Sequence, residues 1–541
     1  MKHVSVGLCL VCWLGAVPLV LGQWEPGGIE TVDITRIVPD TVASDFGEAP
    51  GALGNWEPYI SVLGDTTFLI QNNTFAEGTT DKQRYALLFQ NADGGAPLRG
   101  ECFFADNGTP YKGEINLSRQ NGNPGRVAGD KRLGARFLVA GGEVSLHGYP
   151  SIFGTLPPGP TYAANERYGA AQLFSFDPLT MTQTMASEAF DVLTGLSGTP
   201  ASVPEVSRFG GEMAALSNGN FLVVVDDRSK LGGANYRTPR AIIVKRDGTV
   251  VKAPFPLWPG PGDCQIWSNV AAYKGGFVAR CNGFLRFFDN DGNFLGDVDQ
   301  ATGMTDMLGN PWDFDRGRGD GTRIAGHINS PYVFLAGRQG SGETGRVMLA
   351  AYDSRTRSLV ARINVNELTQ VDGGTDPEEF KPGLDRVTVT CDALNRVVVA
   401  YEINLSWYVV QQVAVRVLNF NEGSKRFTYL TRTFFPFVNW LNDFPMQGAP
   451  IVTFRPSVAM TTRAICVAAK GSINTDLQPD QGANTPSEVN FYTVISHPDP
   501  KDDPTPRAYP ADLDQDGDVD VNDFAIFQLC FNGASRPPAC P

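Results

Sequence analysis

The feature that most restricts the fold of this chain is a recurring pair of short apolar segments joined by a polar turn. Seven such pairs occur: YISVLGDTTFLIQ, GARFLVAGGEVSLHG, GEMAALSNGNFLVVVDD, SNVAAYKGGFVARCNG, RIAGHINSPYVFLAG, RVTVTCDALNRVVVAYEI and RPSVAMTTRAICVAAKG. They start near residues 59, 134, 211, 268, 323, 386 and 455, which gives intervals of about 55 to 77 residues. Each pair has the pattern of a β-hairpin, and the interval has room for four strands with their loops. The pattern predicts an all-β chain built on one repeated sheet.

Several pairs are followed by a second, more polar hairpin, such as IIVKRDGTVVKA or LRFFDNDGNFLGD. Four-stranded units that repeat in this way are typical of a β-propeller, and we expect residues 55–495 to form one with about seven blades. A series of β-sandwiches or a β-helix would also contain short strands, but fixed hairpin pairs at this period favour blades. The 59 glycines and 38 prolines agree with frequent turns, and no long helical periodicity lies between them.

Near the C-terminus, six aspartates lie within twelve residues. They are Asp512, Asp514, Asp516, Asp518, Asp520 and Asp523. They occupy positions 1, 3, 5, 7, 9 and 12 of a twelve-residue loop, with Gly517 at the position of the sharp turn and Val519 at the apolar position, as in an EF-hand loop. So many carboxylates repel one another unless a multivalent cation neutralises them, and hard oxygen ligands suit Ca²⁺. We therefore predict a calcium site formed by these six residues.

The segments beside this loop differ from those of an ordinary EF-hand, which has a helix on each side. Residues 496–510 contain five prolines, which exclude a helix and predict an extended linker. After the loop, Phe524, Phe527 and Phe531 are spaced to form one apolar face of a short helix. Residues 511–541 are therefore predicted to be a loop followed by a helix.

This half EF-hand resembles the repeat of dockerin domains, and its wording DxDxDGDVDxxDFxxFQxCFxG is similar to the dockerin-type tails of secreted planctomycete proteins. The resemblance covers about thirty residues and implies that the six aspartates bind calcium. Dockerins usually have two such repeats and bind cohesin modules through their helices. The sequence here ends at PPACP, where a second repeat would begin. The resemblance implies either a cohesin-like protein or a cell-surface component as partner of the tail.

The N-terminal 22 residues have the pattern of a secretory signal peptide. Lys2 and His3 precede an apolar run, and Val20 and Gly22 occupy the small-residue positions of a cleavage site. The residue after Gly22 is Gln23 rather than the cysteine that a lipid anchor requires. We expect a secreted, extracellular or cell-surface protein without a transmembrane segment, with residues 23–54 as an irregular segment before the propeller.

The charge of the chain argues against nucleic acid as a partner. The net charge is −14, and residues 499–523 contain nine acidic residues against two basic ones, so half of the excess lies beside the calcium loop. The propeller region is mildly acidic and has no stripe of lysine and arginine. A polysaccharide remains a candidate ligand of the propeller.

Export permits disulfides, and seven cysteines follow the signal peptide. Candidate pairs are Cys530 with Cys540, Cys264 with Cys281, and Cys391 with Cys466, which would leave Cys102 over. The sequence alone does not determine the connectivity.

Three motifs in the body have both a structural and a functional interpretation. DNDGN, at residues 289–293, is similar in sequence to the predicted calcium loop, but an Asx-Gly pair between apolar strands is typical of a tight hairpin turn. The tripeptide Arg318-Gly319-Asp320 occurs in adhesion ligands, and in this glycine-rich stretch we interpret it as an irregular connection. Four acidic residues in VDGGTDPEEF could supply a general acid and base for glycosidic cleavage, although such carboxylates are usually solvated. They are Asp372, Asp376, Glu378 and Glu379.

Histidine is scarce, and after the signal peptide only His147, His327 and His497 remain. A histidine-rich metal site is therefore excluded, and neither a nucleophile-elbow motif nor a dinucleotide fingerprint occurs. Two classes stay open. The first is a non-catalytic binding or attachment protein, which we favour; the second is a carbohydrate-active hydrolase or lyase carrying the same tail. The residues at the mouth of the propeller would distinguish them, because an enzyme needs clustered carboxylates and aromatic platforms there.

Overall fold

The computed structural model describes the strands of the chain and most of the short turns between them. The described residues are 31–33, 53–55, 59–63, 66–76, 82–94, 98–100, 105–106, 109–110, 115–116, 127–129, 137–145, 167–177, 182–185, 190–191, 206–229, 238–258, 269–281, 283–305, 311–312, 314, 322–339, 346–365, 381–405, 410–431, 433–434, 436–437, 451–473 and 488–497. The tail with its six aspartates lies outside them. No helix within these ranges has the length and apolar character needed to cross a lipid bilayer.

Six sheets are each built from strands that follow one another in the sequence. Sheet 1 contains β2 (Leu53–Asn55), β3 (Tyr59–Leu63), β4 (Thr67–Ala76), β5 (Lys82–Asn91), β6 (Leu98–Gly100) and β9 (Ile115–Asn116). Sheet 2 contains β10 (Val127–Gly129), β11 (Phe137–Ser145), β12 (Arg167–Asp177), β13 (Thr182–Met185) and β14 (Phe190–Asp191). Sheet 3 contains β15 (Val206–Ala215), β16 (Phe221–Ser229), β17 (Thr238–Val244) and β18 (Val250–Pro256).

The remaining three of these six sheets have four strands each. Sheet 4 contains β19 (Asn269–Tyr273), β20 (Gly276–Cys281), β21 (Phe284–Asp289) and β22 (Phe294–Asp299). Sheet 5 contains β23 (Thr322–Gly326), β24 (Tyr332–Gln339), β25 (Arg346–Asp353) and β26 (Ser358–Asn364). Sheet 6 contains β27 (Lys381–Cys391), β28 (Arg396–Leu405), β29 (Val410–Asn421) and β30 (Arg426–Tyr429). A separate two-stranded ribbon pairs β7 (Ala105–Asp106) with β8 (Thr109–Pro110).

One further sheet joins the two ends of the described chain. Sheet 7 contains β31 (Ile451–Met460), β32 (Ala464–Ile473), β33 (Glu488–Ser496) and, as its outermost strand, β1 (Thr31–Asp33). Strand β1 runs antiparallel to β33, with Thr31 opposite Thr493. Residues 23–54, expected to precede the domain as an irregular segment, therefore contribute one strand to sheet 7 and β2 to sheet 1. Because β1 is only three residues long, its pairing was not visible as a local pattern.

The innermost strands of neighbouring sheets, which are β3 in sheet 1 and the first strand in each of sheets 2 to 7, lie against one another around a ring. Contacts run from β3 to β10, β10 to β15, β15 to β19, β19 to β23, β23 to β27, β27 to β31 and back from β31 to β3. Sheets that pack face to face around an axis, each with one strand innermost, constitute a β-propeller. The predictions of an all-β chain and of a propeller arrangement are confirmed.

The apolar core lies in the seams between neighbouring sheets. In the seam between sheets 4 and 5, Val278 and Phe287 pack with Leu335 and Met348, all of them inaccessible to solvent. Both faces of these sheets are covered, so their strands are apolar on both sides instead of alternating with polar residues. Burial of each such side chain stabilises the fold by about 1.5–3 kcal/mol.

The turns follow from short polar side chains. Asp289 is an example: its Oδ1 accepts hydrogen bonds from the backbone N–H groups of Asp291 (3.0 Å) and Asn293 (2.8 Å). Gly292 follows at φ 75°, a conformation that favours glycine. DNDGN is thus a hairpin turn between β21 and β22, as predicted.

Six of the seven predicted hairpin pairs are present in the described strands. The exception is residues 134–148, where the sequence pattern predicts two strands joined by a turn and the glycine pair Gly141-Gly142 lies between the apolar segments. These glycines lie inside β11, which pairs without interruption with β12 from Phe137 to Ser145. Pairing with a neighbouring strand outweighs the local preference of glycine for a turn.

The predicted disulfide between Cys391 and Cys466 is wrong. Cys391 packs in the seam between sheets 5 and 6, whereas Cys466 packs between sheets 7 and 1. Cys466 is a free thiol, and burial raises its pKa. The side chains of the other predicted pairs lie outside the described residues.

Candidate functional site

The two ends of the propeller carry connections of different length. At one end, which we call the turn face, the first strand joins the second in sheets 3 to 7 and the third joins the fourth in sheets 3 to 6; these turns have two to five residues. The opposite end, the loop face, carries the connections from one sheet to the next, which have 12 to 22 residues between sheets 3 and 7. Binding residues are found disproportionately on loops held by a rigid scaffold. The loop face is therefore the candidate binding surface.

A row of four residues crosses sheet 5 at its loop-face end and faces sheet 4. The backbone register aligns Thr322 with Gly337, Gly337 with Met348, and Met348 with Asn364. Residues opposite one another on neighbouring strands point to the same side of a sheet. Since Met348 packs in the seam between sheets 4 and 5, Asn364 faces this seam too.

Sheet 4 contributes three polar side chains to the same end of this seam, all of them buried: Asn269, Arg280 and Gln300. Asn269 joins the first strands of the two sheets, since its Nδ2 donates to the Thr322 carbonyl (3.2 Å) and its Oδ1 accepts from the Ile324 N–H (3.2 Å). Arg280 Nε donates to Gln300 Oε1 at 3.0 Å. A hydrogen-bonded polar layer therefore closes the apolar core on the side of the loop face.

Two aromatic residues of the connection between sheets 4 and 5 cover this layer. Gln300 Nε2 donates to the Phe314 carbonyl at 2.9 Å, and the rings of Trp312 and Phe314 meet edge to face at a centroid distance of 6.1 Å. Gly337 makes room for them, because a Cβ there would lie 2.6 Å from the Phe314 ring. Both rings are buried.

Two side chains in this region have polar atoms that find no hydrogen-bond partner in the part of the chain that the structure describes. They are the Trp312 Nε1 and both the Oδ1 and Nδ2 of Asn364. Trp312 is 4% exposed and Asn364 is 1% exposed. A buried polar group without a partner costs roughly 1–3 kcal/mol, so natural proteins seldom retain one without a reason.

The seam between sheets 5 and 6 is also polar at its loop-face end. Arg323 and Arg338 lie on sheet 5 there, each opposite an apolar residue of that seam. Arg416 extends from sheet 6 to donate to the Val365 carbonyl at 2.7 Å, and burial raises the pKa of the neighbouring Tyr401. Glu402 follows Tyr401 in β28 and therefore faces the other side of sheet 6, toward sheet 7, as a carboxylate with only 2% exposure.

The structure describes some of the candidate residues named from the sequence and leaves others outside its described ranges. His327 and His497 lie at the turn face: His327 Nδ1 accepts from the Asn329 N–H (3.2 Å), and the His497 Nε2 is 3.0 Å from the Thr461 carbonyl. His147, the Arg318-Gly319-Asp320 tripeptide and the four acids of VDGGTDPEEF lie outside the described residues. Within the described ranges, no three His, Cys, Asp or Glu side chains group so as to hold a metal ion.

The seam residues were not found from the sequence. Asn269, Arg280, Gln300 and Asn364 are single polar residues at strand ends, without a motif. Trp312 is the most distinctive residue nearby in the sequence, in NPWDF, and it directly precedes the stretch that contains the Arg-Gly-Asp tripeptide. Polar residues within otherwise apolar strands would have been the pattern to follow.

Comparison with known proteins finds no matching family model and no match among curated proteins. Solved structures that match this chain include the β-propeller domain of the trilobed protease from Pyrococcus furiosus, at 9% identity, covering 84% of this chain and 99% of that one, with a TM-score of 0.35. An α-L-arabinofuranosidase from Fusarium graminearum is 8% identical over 68% of this chain and 94% of its own, with a TM-score of 0.37. A Trypanosoma rangeli sialidase is 10% identical, with a TM-score of 0.36. The match covers 67% of this chain and about half of the sialidase, 53%.

The sheet order, the ring of inner strands and the long connections at one face together define a β-propeller protein.

Proposed function

We propose that this chain is an exported, non-catalytic binding protein. In this proposal a closed propeller of seven blades takes its ligand at the loop face, and the C-terminal tail binds calcium and attaches the protein to a cell surface or matrix. The observation that supports a ligand at the loop face is the difference between the two ends of the ring. Short turns lie at one end, and every long inter-sheet connection between sheets 3 and 7 lies at the other. Seven sheets of four or more strands support the blade number.

The position at which the last strand ends supports a propeller that binds its ligand at one face and is attached through the other. Strand β33 ends at Ser496, opposite Ala464, the first residue after the turn between β31 and β32. His497 continues on the turn face, where its N–H donates to the Arg463 carbonyl at 2.9 Å. The described chain therefore ends at the face opposite the long connections, and a protein tethered by its tail would present its loop face outward.

Hydrogen exchange of the mature full-length protein, with and without surface polysaccharides, tests the binding role. We expect a bound polymer to protect backbone amides at the loop-face ends of sheets 4 to 6 and to leave the turns at 274–275, 290–293 and 392–395 unchanged. The polymer should remain uncleaved. Protection confined to the turn face, or the absence of binding to every surface polymer, would contradict the proposal.

The tail gives a separate prediction. Titration of the full chain with calcium should show one site that Asp512→Ala or Asp523→Ala weakens at least tenfold, since each substitution removes a ligand of the proposed loop. Asp499→Ala, an acidic residue of the linker outside the loop, serves as the matched control. Unchanged calcium binding in both loop variants would refute the assignment.

One observation favours a carbohydrate-active hydrolase or lyase as the second candidate. Glu402 is a buried carboxylate on the second strand of sheet 6, toward the loop face, and carboxylates supply the general acid and base of glycoside hydrolysis. Release of reducing or unsaturated ends from a polysaccharide, abolished by Glu402→Gln, would establish this alternative.

A further inference from the structure

The strongest unexplained feature of the molecule is the pair of unsatisfied polar side chains in the seam between sheets 4 and 5. Asn364 presents one acceptor and one two-proton donor, and Trp312 presents one N–H donor. Neither forms a hydrogen bond through these atoms within the described part of the chain. Their positions are linked, because Asn364 is opposite Met348 in the sheet, and Met348 and Trp312 belong to one packed cluster.

The surroundings place Asn364 beside the connection that carries Trp312. Arg362, two residues earlier on the same side of β26, donates from Nε to the Thr305 carbonyl at 2.6 Å. Thr305 in turn pairs with Pro311 in an isolated β-bridge, and Trp312 follows directly. Asn364 is one step nearer the loop face than Arg362, so both unsatisfied side chains lie near the base of this connection.

The chemistry of the unsatisfied atoms defines their complement. The three groups are neutral, and they offer two kinds of donor together with one acceptor. A hydroxyl group complements both the donors and the acceptor. Its oxygen accepts from the Trp312 N–H or the Asn364 Nδ2, and its proton is donated to the Asn364 Oδ1. A carboxylate or phosphate would leave the Asn364 Oδ1 without a donor.

We propose that Asn364 and Trp312 form a binding site for a hydroxyl group of a neutral, hydroxyl-rich ligand at the loop face. This inference rests on the proposed binding function and specifies the class of ligand. The buried edge-to-face pair of Trp312 and Phe314 makes the surroundings of the hydroxyl site apolar, and in ligand pockets a few polar groups in an apolar setting fix the orientation of the ligand. Water has the same hydroxyl chemistry, so the experiment must separate the two sources.

Calorimetric titration of the full-length protein with neutral trisaccharides (cellotriose, xylotriose and mannotriose) and with anionic trigalacturonate provides the test. We expect a neutral probe to bind, and Asn364→Leu to weaken its binding about tenfold, since loss of hydrogen bonds to a hydroxyl corresponds to about that factor. Trp312→Phe keeps an aromatic ring while removing the indole N–H together with the five-membered ring that carries it, and it should weaken binding similarly. Trp258→Phe is the matched control, because Trp258 lies against Phe284 and Arg286 on the other side of sheet 4.

The outcomes separate this site from the wider function. Binding that the two seam variants leave unchanged would overturn the site while retaining the binding protein. Binding of trigalacturonate alone would overturn the neutral class of ligand. Failure of every trisaccharide to bind would overturn the ligand site and mean that a resident water occupies it. The hydrogen-exchange measurement with surface polysaccharides would then decide the binding function independently. If Asn364→Leu does not fold, Trp312→Phe still decides the result.

Discussion

Replacement of Gly326 by alanine should destabilise the propeller by about 3 kcal/mol, the upper part of the usual range for added volume in a packed interior. Gly326 is the last residue of β23, on the inner edge of sheet 5. A Cβ at this position would lie 2.4 Å from the backbone carbonyl oxygen of Ala272 in sheet 4. The neighbour is backbone rather than a flexible side chain, so relief requires the two inner strands to separate. Equilibrium unfolding in urea would show a lower midpoint.

Gly423→Ala is the matched control for this change. Gly423 lies in the turn between β29 and β30, and an added Cβ would contact only the Asn421 Oδ1, at 3.3 Å. An exposed substitution of this kind should change the free energy of unfolding by no more than about 0.5 kcal/mol. Equal midpoints for both variants would mean that sheets 4 and 5 do not approach as closely as described.

Acidification should destabilise the protein through His497, by about 2 kcal/mol between pH 7 and pH 5. Burial is the main cause that lowers the pKa of His497 to about 3, and the positive charge of Arg396 adds to it. The unfolded chain binds a proton near pH 6.5 and the folded chain does not. Stability is therefore unaffected above about pH 7 and declines as the pH falls from 6.5 toward 3, by up to about 1.4 kcal/mol per pH unit.

His497→Gln isolates this contribution, because glutamine retains an N–H donor for the Thr461 carbonyl but does not titrate. Urea unfolding of both proteins at pH 7.5, 6 and 5 would show a smaller loss of stability in the variant. The carboxylates contribute equally to the pH dependence of stability in both proteins. Their contribution is therefore removed when the pH dependence of the variant is subtracted from that of the unsubstituted protein. Parallel slopes would show that the histidine ring is hydrated in the folded state.

Local features of the sequence predicted the sheets well. DNDGN, SNGN and RDGT were recognisable as turns because their side chains cap the backbone within four residues, as Asp289 and Asp247 do. Apolar segments on both sides of these turns then defined the hairpins. The segment 134–148 failed because a Gly-Gly pair is compatible with both a turn and a strand, and only the pairing of β11 with β12 decides between them.

The candidate site was much less predictable than the fold. Asn269, Gln300, Trp312 and Asn364 are spread over nearly a hundred residues, and each is unremarkable in its own segment. They come together because strand pairing within sheet 5 aligns Asn364 with Met348, and because sheet 4 stacks on the face of sheet 5 that carries Met348. The predicted disulfide between Cys391 and Cys466 failed for the same reason, since their separation depends on which seam each strand faces.

The sequence by itself determined the strand-and-turn pattern, the repeat that implies a propeller, and the spacing of six aspartates that predicts calcium binding, because these depend on residues close together in the chain. Only the tertiary structure decided how β1 completes sheet 7, which face carries the long connections, and which polar residues meet in the seam. Such contacts join residues tens to hundreds of positions apart, and they are decided by sheet packing and register, which no local pattern specifies.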